Sequence, residues 1–151
     1  ASQHYNSKSV FFLGRTLDYA VALEGSLKLK EISYIHSEAY AAGELKHGTI
    51  ALIEPGTVVV ALCTVRELYD KMLSNIKEVK ARGAVVIAVA EEGNTAIEHE
   101  ADYVIYVPKC NELVMPSEVV LPLQLFSYYV ASLKGLDIDK PRNLAKSVTV
   151  E

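Results

Sequence analysis

The sequence has few of the features that mark specialised classes of protein. It contains no tryptophan, two cysteines, five prolines and eight glycines in 151 residues, which excludes disulfide-rich, collagen-like and low-complexity chains. Lys and Arg number 15 against 19 Asp and Glu, so the broad basic surface typical of nucleic-acid binding is absent. No uncharged run reaches the ~18 residues of a membrane-spanning helix, and the polar opening residues show no secretory signal.

The two cysteines also have no partner at metal or redox spacing. Cys63 ends an apolar run, and Cys110 has no second cysteine or histidine near it, which predicts two buried free thiols in a reducing compartment. We therefore expect a cytoplasmic protein with no metal and no cofactor.

What is present fits one globular domain. At about 150 residues per domain, the length predicts a single domain over residues 1–151. Half of the residues are hydrophobic, enough for an ordinary core. The longest uncharged run, residues 119–133, contains Pro122 and Gln124 and is interpreted as a buried segment, either core or interface.

Short β-rich runs alternate with helical patterns along the chain. The runs cover residues 10–13, 58–63, 85–90 and 103–107, and amphipathic segments at 67–82 and 119–134 predict helices. The second and third runs are continuously apolar, as in strands covered on both faces. This alternation of strands and helices predicts an α/β fold with three layers, in which a doubly wound, mostly parallel sheet is flanked by helices.

A further helix is predicted from residue 19 to residue 36. Asp18 is its expected N-cap, and His36 is expected to cap its C-terminal end, where a cation complements the dipole. At ~100° per residue, Glu24, Lys28 and Glu31 share one stripe of its surface. Spacing leaves two interpretations open: a plain ladder of ion pairs, or a carboxylate base beside an ammonium facing a cleft.

Two other segments carry side chains that are candidates for catalysis. His47 follows a short polar turn and is flanked by Gly48, so it is either solvated or an acid–base group. The tail at 137–151 contains Lys146, and a partly desolvated lysine amine forms Schiff bases with ketones. A polar chain end also frays readily.

Three sequence runs together closely resemble one known family. They are LEGSLKLKEISYIH at 23–36, EAYAAGELKHG at 38–48 and PRNLAKSVTVE at 141–151. They resemble the C-terminal part of the glutamine–fructose-6-phosphate aminotransferase (isomerizing) family, also called the glucosamine-6-phosphate synthases. The resemblance implies that the chain is the second of two sugar isomerase (SIS) domains. Thr49 stands where the family usually has proline, which is expected to loosen the turn that carries His47.

The resemblance implies a role for each candidate residue. Glu31 is implied to be the base that moves a proton between C1 and C2 of the sugar. Lys28 is implied to stabilise negative charge on the enolamine-like intermediate, and Lys146 to form the Schiff base with the open-chain ketose. His47 is implied to assist ring opening and to reach into the site of a neighbouring subunit.

Two further positions are implied to contact or support the substrate site. Glu24 matches a family position beside the cluster, and Ala145 is implied to offer backbone contact to the sugar. The family's glutaminase domain and the phosphate-binding loop of its first SIS domain have no counterpart in these residues. We therefore expect no synthase activity from the chain alone. The resemblance also implies a homodimer that binds a sugar phosphate, and we expect neither a nucleic acid nor a membrane as a partner.

Two alternatives remain open at this point. One is a different SIS-fold sugar-phosphate isomerase or amino-sugar deaminase. The other is a non-catalytic SIS module that binds a sugar phosphate or serves only to dimerise.

Overall fold

A computed structural model describes residues 1–144 of the chain. Within this range, five parallel strands form one sheet in the order β2-β1-β3-β4-β5. The strands are β1 (Ser9–Gly14), β2 (His36–Ala41), β3 (Val58–Cys63), β4 (Val85–Glu91) and β5 (Tyr103–Val107). The helices are α1 (Leu17–Ser33), α2 (Tyr69–Lys80) and α3 (Met115–Leu133), with short 3-10 turns in the connections.

The sheet is covered on both faces, as its apolar central strands predict. Phe12, Val60 and Val89 point to one face, where they pack with residues of α1 and α3. Leu13 and Val59 point to the other face and pack with residues of α2. All six residues of β3 are buried, which is the reason for its unbroken apolar sequence. The predicted three-layer, doubly wound α/β fold is confirmed.

The predicted end of α1 and the role of His36 are wrong. The helix ends at Ser33, and the next residue, Tyr34, adopts the left-handed conformation with φ 60°. This turn stops the helix and directs the chain into β2. His36 is consequently the first residue of that edge strand, where it lies opposite Ser9 of β1, and it caps no helix.

The last helix is longer than predicted. It begins at Met115 with Pro116 in its first turn, where a proline costs no hydrogen bond. It continues through Pro122, and it alternates core residues with exposed Leu121 and Leu125. No helix of the described residues combines the length and the apolar character needed to cross a membrane.

Candidate active site

The strand order places a crevice at the carboxyl ends of β1 and β3. The chain leaves these neighbouring strands toward opposite faces of the sheet, since α1 and α2 pack on different sides. This is the topological switch point at which open α/β sheets commonly bind ligands. The crevice is lined by residues that follow β1, β3 and β4 and by the start of α3.

Asp18 spans this crevice and does not serve as the predicted N-cap. The helix begins at Leu17, two residues earlier than predicted, with Thr16 in the capping position. The Asp18 carboxylate accepts hydrogen bonds from the backbone N–H and the hydroxyl of Thr64 at 2.8 and 2.5 Å. Burial raises the pKa of Asp18, while its bonds to Thr64 act in the opposite direction. Gly14 permits this turn, because a Cβ there would lie 2.4 Å from the carbonyl carbon of Asp18.

The crevice has the wrong charge for a phosphate group. Arg66 is its only cation in the described part of the chain, and its guanidinium donates two bonds of 2.8 Å to the carboxylate of Glu91. Glu67 and Glu112 add two further acidic side chains to the lining. Of the predicted catalytic residues that the structure describes, Lys28, Glu31 and His47, none lines this crevice.

The charged stripe of α1 lies toward the other end of the helix. From Asp18 to Glu31 the helix axis rises about 20 Å, at about 1.5 Å per residue. Lys28 Nζ lies 2.7 Å from Glu31 Oε2 and 3.6 Å from Glu24 Oε1. The predicted ladder is therefore formed. Its members are between 28% and 42% exposed, so it is open to a ligand.

Lys28 is held in its charged form by this arrangement. The hydrogen bond to Glu31 is the largest cause that raises the pKa of Lys28, and partial burial opposes it. A lysine nucleophile needs a lowered pKa. Lys28 is thus suited to stabilise negative charge, and unsuited to form a Schiff base.

His47 lies on an exposed turn. It ends the 3-10 helix Leu45–His47, its side chain is 64% exposed, and its Nε2 lies 4.0 Å from Glu44 Oε2. Gly48 follows with φ 154°, and Thr49 opens the next 3-10 turn. The turn thus presents the imidazole outward.

The start of the C-terminal tail is fixed by a contact that the sequence did not reveal. Tyr34 accepts a hydrogen bond of 2.8 Å on its hydroxyl from the backbone N–H of Arg142. This contact lies just beyond the helical turn that carries Glu31. The predicted residues Ala145 and Lys146 lie outside the described residues.

Comparison with known proteins agrees with this architecture. Residues 4–134 match the SIS domain family. The chain is 66% identical over its full length to a glutamine–fructose-6-phosphate aminotransferase (isomerizing) of Caldanaerobacter subterraneus, and it spans about a quarter (25%) of that relative. The corresponding protein of Clostridium acetobutylicum is 64% identical over the same share.

Solved structures give the same result. The C-terminal domain of glucosamine-fructose-6-phosphate aminotransferase from Francisella tularensis superposes with a TM-score of 0.82 at 43% identity, covering 90% of this chain and 38% of that one. A glucosamine-6-phosphate deaminase from Thermotoga maritima has a TM-score of 0.76 at 31% identity, covering 93% of this chain and 40% of that one. With the parallel sheet and its helical layers, these matches lead to one conclusion: the chain belongs to the SIS domain family.

Proposed function

We propose that this chain supplies the isomerase chemistry of a glutamine–fructose-6-phosphate aminotransferase, which forms glucosamine 6-phosphate and glutamate. The observation that carries the proposal is the contact of Lys28 Nζ with Glu31 Oε2 at 2.7 Å on a rigid helix. A base must be held firmly to serve two adjacent carbons. Relatives with this name, 64% and 66% identical over the whole chain, support the same function.

In the proposed reaction the Lys146 amine condenses with the C2 carbonyl of open-chain fructose 6-phosphate and releases water. The resulting iminium makes the C1 hydrogens acidic, and ammonia derived from glutamine replaces the lysine nitrogen at C2. Glu31 then accepts a proton from C1 and returns one to C2, and the C1 hydroxyl gives up its proton to water, which leaves an aldehyde at C1 and an amine at C2. Lys28 stabilises the negative charge that develops between these two transfers.

His47 is proposed to assist ring opening in the site of a neighbouring subunit. Its exposure on a turn supports an action outside its own domain, and Glu24 and Ala145 are proposed to support and contact the sugar. Among the described candidates, Lys28, Glu31 and His47 are partly or largely exposed and do not line the crevice of their own sheet. This supports a site that other domains complete.

We propose a cytoplasmic homodimer whose copies pair through helices. The outer surfaces of α1 and α3 support pairing, because they expose large apolar side chains that a lone domain would leave in water. These are Leu23, Leu27, Leu121, Leu125, Tyr128 and Tyr129. Sedimentation equilibrium of the chain measures its oligomeric state, and a monomer at all concentrations would contradict the proposed homodimer.

A hybrid enzyme tests the catalytic proposal. In it, the matching 151 residues of the Caldanaerobacter relative are replaced by this chain. We expect glucosamine 6-phosphate from fructose 6-phosphate and glutamine, whereas the chain alone yields none. Glu31→Gln should lower kcat by about 100-fold or more, the usual contribution of a general base.

Lys30→Gln is the matched control, since Lys30 is exposed on the same helix. It should leave kcat within about twofold, because a solvated surface charge contributes little. An active Glu31→Gln hybrid, or an active Lys146→Gln hybrid, would overturn the assignment of that residue.

The deaminase alternative is supported by the 31% identity to the Thermotoga maritima protein. Amino-sugar deamination uses the same proton transfer in reverse and releases ammonia. A hybrid that releases ammonium from glucosamine 6-phosphate, and makes none of this sugar from glutamine, would favour the deaminase.

A further inference from the structure

Tyr34 occupies an unusual place at the end of α1. It has φ 60°, a conformation uncommon for a residue with a side chain. Its backbone N–H bonds to the carbonyl of Lys30 and closes the last turn.

The ring and the hydroxyl of Tyr34 both contact Arg142. The hydroxyl accepts the Arg142 N–H at 2.8 Å, and the guanidinium carbon lies 4.2 Å from the centre of the ring. The hydrogen bond involves the backbone of Arg142, and the cation–π contact involves its side chain. Together they fix both the position and the orientation of this tail residue across 108 positions of sequence.

The segment before Arg142 is also held in place. At the end of α3, Gly135 takes φ 67° and the N–H of Leu136 bonds back to the carbonyl of Ala131. Asp137 then accepts N–H bonds from residues 139 and 140. The chain therefore runs from the end of α3 to the end of α1 through a series of local contacts.

We propose that Tyr34 is a positioning residue that docks the start of the tail, at Arg142, at the end of the helix that carries Glu31, and that this docking aids the Schiff-base role proposed for Lys146. This inference rests on the proposed function, in which Lys146 forms the Schiff base. Glu31 lies in the last turn of α1, three residues before Tyr34 in the sequence. Four residues of chain span at most about 14 Å, so docking at Arg142 restricts the volume that Lys146 samples.

Docking is tested first on the 151-residue chain by amide hydrogen exchange. Tyr34→Phe removes the acceptor and keeps the ring, so exchange at Arg142 should accelerate by about two- to tenfold. Tyr19→Phe, toward the other end of α1, is the control and should leave this rate unchanged. Equal exchange in unsubstituted and Tyr34→Phe chains would overturn the docking contact.

The catalytic consequence is tested in the hybrid enzyme by reducing the Schiff base with cyanoborohydride in the presence of fructose 6-phosphate. Tyr34→Phe should slow labelling of Lys146 by about two- to tenfold and lower kcat with little change in KM. Tyr34→Leu, which also loses the stacking on Arg142, should slow the labelling of Lys146 further. Both variants should unfold at the temperature of the unsubstituted hybrid.

The outcomes separate the two proposals. If Lys146 is not labelled in the unsubstituted hybrid, the proposed function is wrong, and the role of Tyr34 in positioning this lysine is wrong with it. If Lys146 is labelled at the same rate in all variants, the proposed function stands and only the inference about Tyr34 is overturned.

Discussion

Asp18 joins the first turn of α1 to the end of β3 by accepting two hydrogen bonds from Thr64. The carboxylate receives the Thr64 hydroxyl at 2.5 Å and the Thr64 N–H at 2.8 Å, and Asp18 is only 4% exposed. A third bond comes from the N–H of Val65 at 3.3 Å. The switch-point crevice is thus lined by a buried carboxylate that joins α1 to the residues after β3, while Lys28 and Glu31 lie toward the opposite end of the same helix.

Removing this carboxylate should strongly destabilise the fold. Asp18→Ala leaves the hydroxyl and N–H of Thr64 and the N–H of Val65 without their acceptor. We expect the free energy of unfolding in urea to fall by about 3 kcal/mol. Asp70→Ala is the matched control, because Asp70 also lies in the first turn of a helix but is exposed. Its expected cost is below about 1 kcal/mol, and similar losses in both variants would contradict the role of Asp18.

The ion pair of Arg66 and Glu91 should make stability depend on pH. The hydrogen bond from Arg66 is the largest cause that lowers the pKa of Glu91. A lowered folded pKa means that the ionised carboxylate stabilises the fold above the ordinary pKa of glutamate. That stabilisation is lost as the pH falls through the folded pKa.

Glu91→Gln should therefore destabilise the chain at neutral pH, with a difference that shrinks on acidification. Urea unfolding of both chains across about pH 3 to 7, where carboxyl groups titrate, measures this difference in the free energy of unfolding. Glu112→Gln is the control, because Glu112 lines the same crevice but is exposed. A Glu91→Gln difference that stays constant with pH would refute the linkage.

The sequence revealed the parts of the fold whose signals are local. β3 and β4 are buried on both faces, so their continuous apolar runs predicted them correctly. The ladder of Glu24, Lys28 and Glu31 was predicted because three- and four-residue spacings bring side chains together on any helix. β2 was missed because its sequence, HSEAYA, is half polar, whereas the other edge strand, β5, has the apolar sequence YVIYV and was predicted. A half-polar strand shows no apolar run.

Contacts between distant residues left no such signal. The hydrogen bonds that Thr64 donates to Asp18 and that Arg142 donates to Tyr34 join residues 46 and 108 positions apart. Asp18 has the residue type and the place of an N-cap, and only the packed crevice redirects its side chain. The turn at Tyr34 was likewise hidden, since a tyrosine gives no indication of a left-handed conformation.

The pKa of Lys28 should respond unequally to its two carboxylate neighbours. Glu31→Gln removes the largest cause of the raised pKa, so that pKa should fall toward the ordinary value for lysine. Glu24→Gln is the matched control and should lower it less, because Glu24 lies 3.6 Å from Nζ and Glu31 lies 2.7 Å away. Titration of the lysine side-chain carbon resonances by NMR measures both.

The sign of this effect has a consequence for stability. A lysine whose folded pKa is raised stabilises the fold below its unfolded pKa and loses that contribution as the pH rises through the folded pKa. The ion pair of Lys28 and Glu31 is therefore intact at neutral pH. Equal shifts in the Glu31→Gln and Glu24→Gln variants would contradict the dominance of Glu31.

The close packing of α1 on α3 should make Gly25 intolerant of even one methyl group. A Cβ at Gly25 would lie 2.6 Å from Leu123 Cδ1 and 3.1 Å from Phe12 Cε1. Alanine is favoured over glycine inside a helix by about 1 kcal/mol, but overpacking costs about 1–3 kcal/mol. Because Leu123 and Phe12 are 1% and 0% exposed and have little room to move, we expect Gly25→Ala to lower the free energy of unfolding.

A double-mutant cycle isolates this contact. Leu123→Ala alone should cost about 2–5 kcal/mol by leaving a cavity. Gly25→Ala should then cost little or nothing, because its methyl group enters the space that the leucine vacated. The expected coupling is at least about 1 kcal/mol. Leu133→Ala is the control: Leu133 is 48% exposed on α3, so its effect should add to that of Gly25→Ala, and additivity at Leu123 as well would show that the helices do not meet at this point.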